Sequence, residues 1–177
     1  MAEVLLRHHL VAAGVDATVS SAGLYEGGRP ATADGVDVMA GRGLDLSAHE
    51  SRRMDADMLE RADLVIGMAR EHVREAVVVG RDAFAKTFTL KELAREGEAL
   101  GPRAGDEPLA AWLARISATR SRTALVGTGY DEQVDVADPV GRGPAAYEAT
   151  AELLDALLGR VVALAFPAKA SRQERSA

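Results

Sequence analysis

Cysteine is absent from this chain: none of its 177 residues is a cysteine. The absence excludes disulfide bonds, cysteine-ligated zinc sites and catalysis by a thiolate within these residues. No apolar run approaches the roughly 20 residues of a membrane span, and no signal-peptide core stands at the start, so we expect a cytoplasmic protein without a membrane segment. Aromatic residues are scarce at 4%, whereas 47% of the residues are hydrophobic, which fits one soluble domain.

An excess of positive charge is also absent. The formal net charge is -6 and the isoelectric point is near 5.3. Sequence-independent binding to nucleic acid or to an anionic membrane needs a basic face. The charge therefore predicts no nucleic-acid partner and no membrane partner.

Helices and short strands alternate along the sequence. The predicted strands are Ala17–Ser21, Leu64–Met68 and Phe84–Phe88; the run LVIGM is apolar throughout, as in a strand buried on both faces. Helix starts are marked by Thr32, by the capping box of Thr89 and Glu92, and by Pro144. This alternation predicts a doubly wound α/β domain with a parallel sheet, whose ligand site lies beyond the carboxyl ends of the strands.

The opening stretch MAEVLLRHHLVAAG has helical spacing, with Gly14 at its expected end, but it has no start signal. No Ser, Thr, Asp or Asn precedes its first apolar residue, and no strand leads into it. By the rule for doubly wound sheets, this helix should begin at the ligand site, since anions meet helix N-termini there. It begins at residue 1.

Four collinear segments resemble the low-molecular-weight protein tyrosine phosphatase family, and together they run from Met1 to about Leu164. They are MAEVLLRHHL; VSSAGL followed by GGRPATADGVDVMAGRGLDLSAHESR; ADLVIGM with FTLKELAR; and VADPVGRGPAAYEATAELL. The resemblance implies a flavodoxin-like three-layer fold with four parallel strands. It also implies a phosphomonoester hydrolase that works through a cysteinyl-phosphate and needs no cofactor.

The family's phosphate loop follows its first strand and has the form Cys, five residues, Arg, then Ser or Thr and Pro. That strand and loop have no counterpart here, since the resemblance begins at the helix that follows them. Neither the nucleophile nor the phosphate-binding arginine is present, because no arginine precedes Arg7. We expect the true start to lie upstream of Met1, and the chain as written to be inactive.

One catalytic residue of the family has a counterpart. Asp138, in the pair Asp138-Pro139, matches the general acid that protonates the leaving tyrosyl oxygen and then activates water. The following proline favours an extended backbone at Asp138, which suits a carboxylate presented on a loop. Without the resemblance, Asp-Pro is ordinary turn chemistry.

Three further residues are candidates for a binding role. Ser20 and Ser21, at the end of a predicted strand, would brace the phosphate loop, although ordinary turn serines fit equally well. Tyr147 would lie at the pocket rim or in the core, and its place on an apolar helix stripe favours the core. The four histidines lack metal-ligand spacing, so no metal site is predicted.

Two other interpretations stay open. A non-catalytic phosphatase-like domain could act by binding, and a relative of arsenate reductase shares the fold but also requires cysteines. We expect one domain over residues 1–166, a polar and disordered tail over 167–177, and an insertion over 97–122 whose role the sequence does not define. The family resemblance implies a phosphotyrosyl protein as substrate, and the oligomeric state is left open.

Overall fold

The computed structural model describes residues 1–80, 82–118, 120 and 129–168. The helices are α1 (Ala2–Ala12), α2 (Ala33–Gly41), α3 (Ala56–Arg61), α4 (Arg70–Val79), α5 (Leu90–Leu100), α6 (Leu109–Ala118) and α7 (Pro144–Ala165). The strands are β1 (Val65–Gly67) and β2 (Thr87–Thr89), and a short 3₁₀ helix at Ala83–Lys86 precedes β2. Most of the predicted tail, from Lys169 onward, and the greater part of the segment 119–128 lie outside the described residues.

β1 and β2 form a parallel pair in which Val65, Ile66 and Gly67 face Thr87, Phe88 and Thr89. α4 lies in the connection between the two strands and packs against both of them. A helical crossover is what a parallel pair requires, because a tight turn cannot join two strands that run in the same direction. The α/β class with a parallel sheet is confirmed, and the described residues contain two of its strands.

Three strand predictions need correction. Residues 17–21 pair with no strand in the described part of the chain, because β1 hydrogen-bonds only to β2 there. The prediction for 84–88 was misplaced: residues 83–86 form a 3₁₀ helix, and only Thr87–Thr89 is strand. The prediction that LVIGM is buried on both faces was wrong, since Val65 and Ile66 are only half-buried. α4 packs against both strands, whereas α5 packs against β2 as well, so β2 has more cover than β1.

The helix ends follow the sequence signals. Thr32 caps α2 by accepting the Gly35 N–H at 3.4 Å, and Thr89 and Glu92 bond reciprocally to each other's backbone N–H. α1 ends in a glycine turn in which Gly14 has φ +67 and the Val15 N–H reaches Leu10 O at 2.9 Å. The N-cap of α1 is Met1, which supplies no side-chain cap. The helix therefore starts without side-chain capping, as the sequence predicts.

The hydrophobic core is one cluster that extends from Leu5 to Ala165. α7 lies at its centre and packs against α1, α2 and α5. The most completely buried side chains include Met39, Phe88, Leu90, Leu93 and Trp112. Within the described ranges, none of the helices is both long and apolar enough to cross a membrane.

A buried arginine supports the β2 side of this core. Arg120 is 2% exposed and stacks over the rings of Phe84 and Phe88, 4.7 and 4.3 Å from their centroids. Its guanidinium donates to both carboxylate oxygens of Glu92, at 2.8 and 3.0 Å, and to Phe84 O at 3.0 Å. A planar guanidinium can make this paired contact and the ring stacking together, so Arg120 joins α5 to the residues before β2.

Candidate functional site

The loop that carries Asp138 lies at the carboxyl end of β1. The N–H of Val136 donates to Met68 O at 2.7 Å, directly after the last residue of the strand. In open α/β sheets this edge is where ligands bind. The fold therefore brings Asp138 close to the edge at which a ligand site is expected.

Arg70 and Asp135 hold this loop in place. Asp135 is 3% exposed; its Oδ1 accepts the Arg70 backbone N–H at 2.8 Å, and its Oδ2 accepts the Asp131 N–H at 2.8 Å. The Arg70 guanidinium lies 3.4 Å from Asp135 Oδ2 and donates to Gly129 O at 2.9 Å. The first residue of α4 is thus bonded to both ends of the segment 129–135.

The charge of Asp135 is stabilised by these contacts. Burial alone would raise the pKa of its carboxyl, but the N–H groups of Arg70 and Asp131 and the Arg70 guanidinium outweigh burial, so the pKa is lowered. Asp135 therefore remains ionised and accepts hydrogen bonds over a wide pH range. An acceptor of this kind is suited to fixing a loop rather than to transferring protons.

Asp138 itself is exposed. Its Oδ1 accepts the N–H of Val140 at 3.0 Å, whereas the intervening Pro139 is buried. The turn leaves the carboxylate in contact with solvent and its backbone packed against the protein. An exposed carboxyl group on a fixed loop can deliver or accept a proton at a bound ligand.

His72 lies in the first turn of α4, near both aspartates. Its Nδ1 accepts the Ala69 N–H at 3.0 Å, which satisfies one of the free donors at the start of the helix. Burial lowers the pKa of His72, and the carboxylates of Glu71, Asp135 and Asp138 only partly oppose this effect. His72 is therefore held in its neutral form, with Nδ1 as the acceptor.

Ser20 and Ser21 follow the unpaired segment 17–19. Ser20 is exposed, whereas Ser21 is half-buried and its hydroxyl donates to Glu3 Oε2 at 2.6 Å. Burial alone would raise the pKa of Glu3, but the hydrogen bonds from Ser21 and Arg7 outweigh it and lower the pKa. Ser21 also lines an open cleft of about 210 Å³, together with Ala22, Gly23, His49, Ser51 and Arg52. This cleft lies beside the first turn of α1.

Tyr147 is buried, with 4% of its surface exposed. Its hydroxyl oxygen accepts a hydrogen bond from Thr32 Oγ1 at 2.9 Å, which joins α7 to the N-cap of α2. The ring also lies against Gly35. The structure therefore brings Tyr147 together with the start of α2.

Sequence reasoning missed the residues that position the loop. Asp135 lies three residues before Asp138 in the segment VDVADP, and Arg70 follows the apolar run of β1. A charged residue two positions after the apolar run LVIGM was the available signal, because a charged group that is buried near the sheet edge must find a partner. In the part of the chain that the structure describes, no group of three or more His, Asp or Glu residues could hold a metal ion.

The described residues thus form an α/β domain with a parallel βαβ unit, and an exposed carboxylate, Asp138, lies near the carboxyl edge of that unit. Residues 1–118 match the family model described as low molecular weight phosphotyrosine protein phosphatase. The chain belongs to this family.

Similar proteins include low molecular weight protein-tyrosine-phosphatase Etp of Escherichia coli, 31% identical over 41% of this chain and 49% of its own length. A second is the probable low molecular weight protein-tyrosine-phosphatase EpsP of Ralstonia solanacearum, 35% identical over 52% of this chain and 62% of its own. The matches thus span about half to three-fifths of these relatives.

The fold is also similar to a solved low molecular weight protein tyrosine phosphatase from T. tengcongensis. The identity is 27%, the TM-score is 0.66, and the match covers 91% of this chain and 86% of that one. The flavodoxin-like architecture expected from the sequence is confirmed by this similarity.

Proposed function

We propose that this chain is the acid-base part of a phosphotyrosyl-protein phosphatase. In this proposal, Asp138 protonates the leaving tyrosyl oxygen of the substrate and then activates water against a cysteinyl-phosphate. A segment outside the printed residues supplies the cysteine and the arginine. The substrate is a phosphotyrosyl protein, and the location is the cytoplasm, where members of this family generally act.

The observation that carries the proposal is the fixation of the Asp138 loop. The contacts of Asp135 with Arg70 and Asp131, and of Val136 with Met68, support a role in which the Asp138 carboxylate keeps one position. General acid catalysis requires such a position, because the proton must reach the leaving oxygen within hydrogen-bond distance.

The remaining candidates have assigned roles in the same proposal. Ser21, bonded to Glu3 in the first turn of α1, would support a phosphate loop that leads into this helix. Ser20 is a second candidate for such support. Tyr147 would act on the rim of the site through Thr32, by holding the start of α2 in position.

The chain as printed should not catalyse the reaction, since it has no cysteine. We expect the purified 177-residue protein to hydrolyse p-nitrophenyl phosphate no faster than buffer. Joining an in-frame segment with an apolar strand followed by Cys, five residues and Arg to Met1 should give turnover, because the first strand, the thiolate and the phosphate-binding arginine are then present.

In the extended protein, Asp138→Asn should lower kcat by about 10²- to 10⁴-fold. Asp106→Asn, which removes another exposed loop carboxylate, is the matched control and should leave kcat unchanged. Turnover by the 177-residue chain that disappears on Asp138→Ala would contradict the proposal, since some other group would then be the nucleophile.

The absence of cysteine also favours a second candidate, a phosphatase-like domain that acts by binding alone. Failure of the extended protein to turn over, with binding of a phosphotyrosyl peptide retained, would favour that candidate. An arsenate reductase is less well supported, because its chemistry also needs cysteines.

A further inference from the structure

A groove lies on one side of Asp138, between the Asp138 loop, the start of α5 and the first turns of α7. Its volume is about 270 Å³. The residues that line it are Lys91, Tyr130, Glu132, Ala137, Asp138, Pro139, Arg142, Ala146, Ala149, Thr150 and Leu153.

The floor of the groove is made of small apolar groups. Ala146 and Ala149 come from α7, and Ala137 and Pro139 come from the loop on either side of Asp138. Leu153 closes the floor one turn further along α7. Small side chains leave room for an inserted group, and the apolar surface favours a hydrocarbon or aromatic one.

The rim carries an exposed aromatic ring, two cations and the exposed side chain of Glu132. Tyr130 is 61% exposed, which is unusual for a ring beside a concave apolar surface. Lys91 bonds to Glu132 O at 2.6 Å, and the exposed Arg142 has no ion pair within the described residues. In a protein with a net charge of -6, an unpaired arginine at this place attracts a carboxylate locally.

We propose that this groove binds an apolar side chain of a substrate peptide, and that Arg142 and Lys91 bind an acidic residue two positions away from it in the peptide. The inference rests on the proposed function, in which Asp138 protonates the leaving tyrosyl group. Residues of the substrate that flank the phosphotyrosine must then pass beside Asp138, and the groove is the concave apolar surface in contact with that carboxylate.

Tyr130 and Val140 extend this apolar surface. Val140 follows Asp138 by two residues and is 62% exposed, so apolar surface stands on both sides of the carboxylate. An extended peptide directs alternate side chains to the same face. One of its side chains can therefore enter the groove while a carboxylate two positions away in the peptide faces Arg142.

Binding can be tested on the 177-residue protein itself, because no nucleophile is needed. The probe is a fluorescein-labelled peptide with the sequence Glu-Gly-Phe-Gly-Glu at its centre, which places each glutamate two positions from the phenylalanine, and binding is measured by fluorescence anisotropy. We expect saturable binding that weakens at least fivefold when the salt concentration rises from 50 to 500 mM, since charged contacts at an exposed rim are screened. A peptide with serine in place of phenylalanine should bind at least tenfold more weakly.

Two variants, each compared with a control, test whether the peptide binds in the groove. Ala149→Trp fills the groove and should weaken binding at least tenfold, whereas Ala163→Trp adds the same side chain on exposed α7 surface about 21 Å further along the axis and should have no effect. Arg142→Glu should weaken binding about fivefold, and Arg61→Glu, an exposed arginine on α3, should not.

Circular dichroism of each variant shows whether it is folded. If Ala149→Trp does not fold, the loss of binding by Arg142→Glu on the rim still tests the inference. Absence of saturable binding up to 1 mM protein would overturn the inference. Equal binding by Ala149→Trp and Ala163→Trp would overturn it as well. Because turnover is not measured, failure here is distinct from failure of the proposed phosphatase activity.

Discussion

β1 and β2 are neighbours in one sheet, yet they are buried to different degrees. All three residues of β2 are buried, whereas Val65 and Ile66 of β1 are half-exposed. α4 packs against both strands, whereas α5 and the stacked guanidinium of Arg120 also pack against β2. From this difference we expect substitutions in β2 to lower the stability of the fold more than substitutions in β1.

Removing the ring of Phe88 should have the largest effect. Phe88 is fully buried in β2, so Phe88→Ala should lower the free energy of unfolding by about 4 kcal/mol through lost burial and a cavity. Ile66→Ala in β1 is the matched comparison and should cost only about 1 to 2 kcal/mol, since Ile66 is half-exposed. Urea unfolding followed by circular dichroism measures both. Equal losses would show that the two strands do not differ as described.

Breaking the Arg120–Glu92 ion pair, which packs against β2, should have the next largest effect on the free energy of unfolding. Arg120→Met removes the ion-pair partner of Glu92, whose side chain is only 11% exposed. We expect this variant to lower the free energy of unfolding by about 3 kcal/mol. Replacing both residues, Arg120→Met with Glu92→Met, should recover most of that loss, because no unpaired charge remains. Urea unfolding of the four proteins gives the coupling energy, and additive losses would contradict a direct contact.

On the β1 side, Asp135→Asn should lower the free energy of unfolding by about 2 kcal/mol. The asparagine amide has a single acceptor oxygen, so it cannot accept hydrogen bonds from the N–H groups of both Arg70 and Asp131. Hydrogen exchange should become faster at the N–H groups of Asp131 and Val136. The matched control is Asp106→Asn. Since the folded state lowers the pKa of Asp135, its contribution is present above the usual pKa near 3.8 and is lost as the pH falls through the lower folded value.

The smallest effect concerns His72. Its folded pKa lies below the usual 6.5, so the unfolded chain binds more protons, and His72 lowers stability as the pH falls below about 6.5. His72→Gln keeps an acceptor for the Ala69 N–H without a titrating group. We expect this variant to match the parent at pH 8 and to lose less stability at pH 5.5, as measured by urea unfolding. The same loss in both proteins would show that another group titrates.

Local signals in the sequence predicted most of the helices. Thr32, the pair Thr89 and Glu92, and Pro144 each act within one turn, so a short window of sequence contains the whole interaction. The strand prediction for residues 17–21 was wrong for the opposite reason. A strand exists only if a partner lies beside it, and β-branched residues alone cannot supply that partner.

The candidate site was only partly predictable. Asp138 was identified through the family resemblance, and its role stays a prediction. Arg70 and Asp135 are 65 residues apart, and their contact depends on how the loop meets β1. No spacing rule connects such positions, so the residues that hold Asp138 in place became visible only in the fold.

Arg120 and Arg70 have a practical consequence for protein engineering. Arg120 is fixed through Glu92 and Phe84, and Arg70 binds Gly129. Each guanidinium joins parts of the chain that are distant in sequence, and lysine would not reproduce the paired contact of Arg120 with Glu92. A redesign of the surface of this domain should therefore leave both arginines unchanged.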